Sequence, residues 1–167
     1  MSIVAILGSA RSNGNAAHLL DAVLSERPAR RFDLGALHIH DYAYRQAADR
    51  DDFLDVAEVM ADADAALFVT PVYWYTMSGV LKRFFDRLTD LVTVEKPLGR
   101  KLAGCSVWVA ACGSDRALPE GFEVPFRATA AYFDMGYGGV FYAQMQEGEA
   151  LSRDQRDEAA AFGSAIF

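Results

Sequence analysis

Two segments hold residue types whose spacing could do chemistry. The first reads Gly8-Ser9-Ala10-Arg11-Ser12-Asn13-Gly14-Asn15 and runs into a stretch of helical periodicity that begins at Ala16. Gly, Ser and Asn permit tight backbone turns and offer small hydroxyl or amide donors, and a helix that starts here presents free N–H groups. Those are the parts of a phosphate cradle. Arg11 adds a cationic fork suited to a phosphate monoester. The other reading of the same residues is an ordinary polar turn with a surface arginine. No G-x-G-x-x-G dinucleotide fingerprint and no G-x-x-x-x-G-K-[ST] loop is present.

The second segment is Thr70-Pro71-Val72-Tyr73-Trp74-Tyr75-Thr76-Met77-Ser78-Gly79, followed by Val80, Leu81 and Lys82. Three adjacent aromatics between a buried strand and a helix leave apolar surface exposed unless something covers them. A flat aromatic ligand would do so, and a subunit interface or core edge is the alternative. Pro71 stiffens the start of the turn, while Ser78 and Gly79 keep the helix start small enough for a planar ring to come close. A third segment, Ala111-Cys112-Gly113-Ser114-Asp115, offers a glycine turn with free N–H groups. Cys112 reads as a small packed residue rather than a redox thiol, having no resolving partner nearby. His38 and His40 lack further ligands at metal-binding spacing, so no metal is expected. His18 falls on the polar side of the first helix, and Lys82, Asp86 and Arg87 read as helix-surface pairs.

The elements that must position these segments are legible in the hydrophobic pattern. Ile3 to Leu7, Ala65 to Val69 and Cys105 to Ala110 are nearly continuous apolar runs, as expected of strands buried on both faces. Arg30 to Leu34 is a weaker strand whose Arg31 and Asp33 suit a sheet edge. Val140 to Ala143 completes five. Helical spacing appears at Leu19, Leu20, Val23 and Leu24, at Phe53, Val56, Ala57 and Met60, and at Leu81, Phe84, Phe85 and Leu88. Phe126, Ala130 and Phe133 suggest a further helix, and Leu151 to Phe162 a last one, with Ser152 near its N-cap. Five β-α units with right-handed crossovers predict an α/β flavodoxin-like three-layer sandwich, with a five-stranded parallel sheet in the order 2-1-3-4-5. Ala36 to Asp51 reads as a long loop carrying Tyr42 and Tyr44.

The chain has 167 residues, 52% of them hydrophobic, and a net charge of -7. One folded domain over residues 1–167 is the expectation. Acidity argues against the nucleic-acid backbone as a partner, and no apolar run is long enough to cross a membrane. Two cysteines and no charged n-region followed by an apolar h-region point to a reducing, cytoplasmic setting. In such open sheets ligands sit beyond the carboxyl ends of the strands, where the three segments fall.

Taken together, the loop Gly8 to Asn15 and the stretch Thr70 to Lys82 resemble the NAD(P)H-dependent FMN reductase family of flavodoxin-like proteins, and the order of elements extends the resemblance over nearly the whole chain. It implies that Ser9, Arg11, Ser12, Asn13, Gly14 and Asn15, with backbone near Ala16, hold the FMN phosphate. Pro71, Val72, Tyr73, Trp74 and Tyr75 would line the isoalloxazine ring, and Cys112 and Gly113 would meet its pyrimidine end. At position 16 the family often has Ser or Thr, so the alanine removes a hydroxyl contact to phosphate. The implied activity uses FMN with NADPH or NADH as electron donor and a small-molecule acceptor such as a flavin or quinone, in a homodimer, with no catalytic side chain. The rival readings are a flavodoxin-like electron carrier without nicotinamide activity and a binding module that has lost FMN.

Overall fold

The computed structural model describes residues 1–44 and 51–167; the part of the expected Ala36 to Asp51 loop at 45–50 lies outside the described residues. The strands are β1 (Ile3–Leu7), β2 (Arg30–Asp33), β3 (Ala65–Pro71), β4 (Ser106–Gly113) and β5 (Gly136–Gln144). They form one parallel sheet in the order β2-β1-β3-β4-β5. The expected order is therefore observed, with the charged β2 at an edge.

Alternation along the strands divides the interior in two. Val4, Ile6, Ala66, Phe68, Val107 and Val109 face one core, which the helices α2 (Phe53–Ala61), α3 (Gly79–Arg87) and α6 (Val124–Tyr132) close. Ile3, Ala5, Leu7, Leu67, Val69 and Ala110 face the other, closed by α1 (Asn15–Leu24) and α7 (Arg153–Ile166). Every residue of β1 is buried, which is why its sequence reads as an unbroken apolar run rather than an alternating one. Large side chains such as Phe53, Phe84 and Phe126 are fully buried, each contributing about 1.5–3 kcal/mol. Ser152 completes a capping box with Gln155 at the start of α7.

Several elements differ in extent from the sequence reading. The crossover from β3 to β4 contains two more short helices, α4 (Asp90–Thr93) and α5 (Lys96–Lys101), neither long enough to show a helical period. β4 continues through Cys112 and Gly113, which were expected in a loop, because Pro71 and Cys112 still pair across β3 and β4. β5 starts at Gly136, its glycine-rich first half hidden from an apolar-pattern reading.

Arg87 is a correction. Lys82 and Asp86 do form an exposed i,i+4 pair, but Arg87 is buried, at i+6 and i+3 from the fully buried Leu81 and Phe84 on the same face of α3. Its guanidinium meets the Asp51 carboxylate, donates to Asp90 at 2.7 Å and to the His40 carbonyl at 3.2 Å, and lies 4.8 Å from the Phe53 ring centre. Asp51 also accepts from the backbone N–H groups of His40 at 2.8 Å and Phe53 at 3.1 Å. This network ties the loop after β2 to the starts of α2 and α4. His38 and His40 stack edge to face beside it.

The start of α3 is fastened to both neighbouring strands. Ser78 Oγ donates to the Gly8 carbonyl at 2.6 Å and accepts from Leu81 N at 3.1 Å as the helix N-cap, while Ser78 N donates to Thr70 Oγ1 at 3.1 Å. A Cβ at Gly8 would lie 2.5 Å from the Leu81 Cβ, so only glycine lets α3 pack against this turn. The loops after β1 and β3 are thereby held in one fixed relation.

Candidate active site

The carboxyl ends of β1, β3, β4 and β5 meet at a cleft of about 320 Å³. Ser9, Arg11, Gly14, Asn15 and Ala16 form one wall, Pro71, Val72 and Tyr73 a second, and Cys112, Gly113 and Ser114 a third. Met145 and Glu147, just after β5, close the fourth side.

Each wall has a local cause. Gly14 is the N-cap of α1 in extended backbone and has no side-chain cap bond. The N–H groups of Asn15 and Ala16, at the first positions of the helix, therefore have no intrahelical acceptor, and the partial positive charge of the helix start is directed at the cleft. Ser9 is buried and its Oγ accepts from Arg11 N at 3.2 Å, which folds the loop back on itself. Ser12 and Asn13 occupy the outer turn of this loop, exposed, and do not line the cleft. Ala16 is buried against the α1–α7 core while its backbone borders the cleft.

The aromatic segment is a two-residue turn. Tyr73 and Thr76 exchange backbone hydrogen bonds at 2.9 and 3.1 Å around Trp74 and Tyr75, whose φ angles are +48° and +69°. Positive φ at both central positions is the type I′ geometry that favours Asn and Gly, so these two residues hold a strained conformation at the cleft mouth. Tyr73 lines the cleft; Trp74 and Tyr75 sit at the tip, 89% and 67% exposed, and do not.

Beneath the turn, Val72 N donates to the Cys112 carbonyl at 2.8 Å. Cys112 is buried, and burial pushes its thiol up to about 12, so it stays a neutral packing group. A Cβ at Gly113 would come within 3.0 Å of the Tyr142 hydroxyl and 3.4 Å of the Val72 Cβ, which is why the strand narrows to glycine where the walls converge. Gln144 Nε2 and the Tyr142 hydroxyl donate to the carbonyls of Ser114 at 3.0 Å and Asp115 at 2.8 Å, fixing the loop after β4.

Arg11 spans the mouth and donates to Glu147 Oε1 at 2.6 Å. The hydrogen bond to Glu147 and its charge hold the guanidinium above its ordinary value, so it is a permanent cation. Ser114 belongs to the third segment of the sequence reading but was not singled out there, and Met145 and Glu147 were absent from it. The signal that could have found the last two was topological: with β5 beside β4, residues after β5 share the same carboxyl edge.

This architecture, with a polar helix-start loop and an aromatic turn at one sheet edge, agrees with comparisons to known proteins. Residues 1–124 match the NADPH-dependent FMN reductase family. The chain belongs to that family. As a member it is an oxidoreductase of the FMN- and NAD(P)H-using kind. A Bacillus subtilis (strain 168) protein, YwqN, assigned by description to NAD(P)H-dependent FMN-containing oxidoreductases, is 25% identical over 96% of this chain and 94% of its own length. An iron-sulfur flavoprotein of Archaeoglobus fulgidus is 31% identical, over 53% of this chain and 46% of its own. Among solved structures, the Trp repressor binding protein of Bacillus subtilis superposes with a TM-score of 0.79 at 22% identity, covering 96% of this chain and 97% of that one. An NADPH-quinone reductase from P. pentosaceus gives 0.69 at 14% identity, covering 100% and 98%. At these identities the structures establish the flavodoxin-like fold.

Proposed function

We propose that this family member passes reducing equivalents from NADPH or NADH to a small-molecule acceptor, a flavin or quinone, by way of FMN held in the cleft at the carboxyl edge of the sheet. The observation that carries the proposal is the meeting of two unlike walls in one cleft. One is rich in hydrogen-bond donors and the other is apolar with the ring of Tyr73, matching the two unlike ends of FMN.

The donor set fits the phosphate end. The free N–H groups of Asn15 and Ala16, the Ser9 hydroxyl and the Arg11 guanidinium are all donors, and a phosphate monoester is all acceptor. Ser12 and Asn13, on the outer face, would act by shaping the loop. Position 16 offers backbone only, since Ala16 has no hydroxyl. At the other end, Pro71, Val72 and Tyr73 would lie along the ring, with Trp74 and Tyr75 reaching over its face from the turn. The segment Cys112 to Ser114 would present backbone N–H groups to the pyrimidine edge, where negative charge gathers on reduction.

FMN held by these residues would supply the redox chemistry, two-electron acceptance from a nicotinamide and electron delivery to the acceptor. The chain's own residues bind, orient and exclude water. No side chain in the cleft has to act as acid, base or nucleophile, and Cys112 stays protonated. The exposed turn at Tyr73, Trp74 and Tyr75 supports a homodimer in which a second copy covers it. Buried free thiols at Cys105 and Cys112 support a cytoplasmic setting, and among the described residues no helix is long and apolar enough to cross a membrane.

The test is the visible spectrum of the purified protein after FMN addition and desalting, then under anaerobic NADPH and NADH. A retained flavin band that bleaches with either nucleotide is the expected result. Retention without bleaching would replace the reductase with an electron carrier. Arg11→Ala is expected to weaken FMN binding about tenfold while leaving riboflavin, which has no phosphate, unchanged.

A further inference from the structure

The loop between β5 and α7 crosses the phosphate loop at two points. Asn15 Nδ2 donates to the Gln146 carbonyl at 2.8 Å, and Arg11 Nη2 donates to Glu147 Oε1 at 2.6 Å. The crossing loop has its own scaffold. Glu149 N donates to the Gln146 carbonyl at 3.1 Å, Gln146 N donates to Glu149 Oε2 at 3.1 Å, and Gly148 takes the turn at φ +74°. The backbone beneath Glu147 is therefore fixed without its side chain. That side chain is 76% exposed, and its partner Arg11 is 63% exposed.

A carboxylate is unexpected beside a wall made of anion-binding donors. Its contribution to folding is small, since an ion pair this exposed holds little stability. Its effect on the cleft is not small, because it occupies Arg11, a permanent cation of that wall. We propose that Glu147 is an internal anion that competes with the ligand's phosphate for Arg11, making the chain bind flavin monophosphate exchangeably. The inference rests on the placement of the FMN phosphate at Arg11 proposed above.

Two charge effects follow. A phosphate monoester must displace the Glu147 carboxylate from Arg11, and its own negative charge is then repelled by the carboxylate left nearby. At effective dielectric constants typical of protein surfaces and physiological salt, removing one such charge tightens a dianion about threefold to tenfold, and the gain shrinks as salt rises. A flavin without phosphate feels neither effect. Glu147 thus sets how far the chain prefers FMN over riboflavin and how quickly FMN leaves.

The experiment is a fluorescence titration of FMN and of riboflavin with the intact protein, Glu147→Gln, Arg11→Ala and the double variant. The expected result is FMN affinity three to ten times higher in Glu147→Gln, unchanged riboflavin affinity, and a smaller gain from Glu147→Gln when Arg11 is already Ala. If Arg11→Ala weakens FMN selectively but Glu147→Gln leaves FMN affinity unchanged or lower, Glu147 is a positioning residue for Arg11 and the competition is overturned. If Arg11→Ala affects FMN and riboflavin alike, the phosphate placement itself fails, and this inference with it. Thermal melting of Glu147→Gln, expected to match the parent, guards against reading a folding defect as a binding effect.

Discussion

Two arginines, each paired to a carboxylate, mark two regions built on opposite principles. At the end of α3, Arg87 and Asp51 have side chains 6% and 2% exposed, and both are satisfied by further backbone and side-chain partners. At the cleft mouth, Arg11 and Glu147 meet in the open, beside helix N–H groups without intrahelical acceptors and a turn in positive φ. The first region is complete in itself, so its polar groups specify structure. The second is incomplete, and open donors together with local strain are what a ligand can exploit. Substitutions in the first should therefore lower stability and spare flavin affinity, and substitutions in the second should change flavin affinity, in either direction, without lowering stability.

The largest effect is expected at Asp51. Asp51→Ala leaves Arg87 buried with only Asp90 as its charged partner, and a loss of about 3 kcal/mol should appear in urea unfolding. FMN affinity, measured where the variant is still folded, should not change; a matching loss of affinity would erase the distinction between the regions. The pH dependence sharpens it. Burial alone would raise the Asp51 carboxyl, but donation from Arg87 and from the N–H groups of His40 and Phe53 outweighs burial and holds it below the usual carboxylate range. The stability linked to it is therefore full above the ordinary value of about 4 and is lost as pH falls from there through the lower native value. In Asp51→Asn that acid limb should flatten.

Next in size is Ser78→Ala, which removes the N-cap of α3 and leaves the Gly8 carbonyl without its 2.6 Å donor. A destabilisation of about 1–2 kcal/mol is expected from chemical denaturation. Because Ser78 sets the relation between the two loops without lining the cleft, any loss of FMN affinity should be smaller than that of Arg11→Ala. A larger loss would mean that the cleft is assembled by ligand rather than held ready.

The sequence disclosed these regions unequally, for physical reasons. Strand order followed from which runs were wholly apolar and from the charges of Arg31 and Asp33, since burial on two faces leaves no other pattern. Ser9, Arg11 and Pro71 were legible as cleft residues because a ligand at a strand end needs small turns, donors and flat surfaces there. Glu147 was illegible because a lone carboxylate in a loop carries no periodicity or motif; only the position of β5 beside β4 gives it a place. Arg87 was misread from its residue type, although its register with Leu81 and Phe84 on α3 already turned it inward. Short helices such as Asp90–Thr93 have too few residues for any period to show.

The smallest stability change, and the only one expected to be a gain, belongs to the aromatic turn. Trp74 and Tyr75 occupy the central positions of a type I′ turn at φ +48° and +69°, where side chains with a Cβ are disfavoured by about 1–2 kcal/mol per residue and Asn-Gly is preferred. Replacing both, Trp74→Asn with Tyr75→Gly, keeps the Tyr73–Thr76 hydrogen bonds, relieves that strain and removes exposed apolar surface. The extra freedom that glycine gives the unfolded chain offsets much of that relief, so melting should rise by only a few degrees, the shift expected of about 1 kcal/mol in a domain of this size. FMN affinity should fall at the same time, since the rings proposed to cover the flavin are gone. A turn retained only for folding would show the gain without the loss. A gain in stability paired with a loss in affinity means that the strain at this turn is maintained for the ligand, as expected of the incomplete region and not of the one around Arg87.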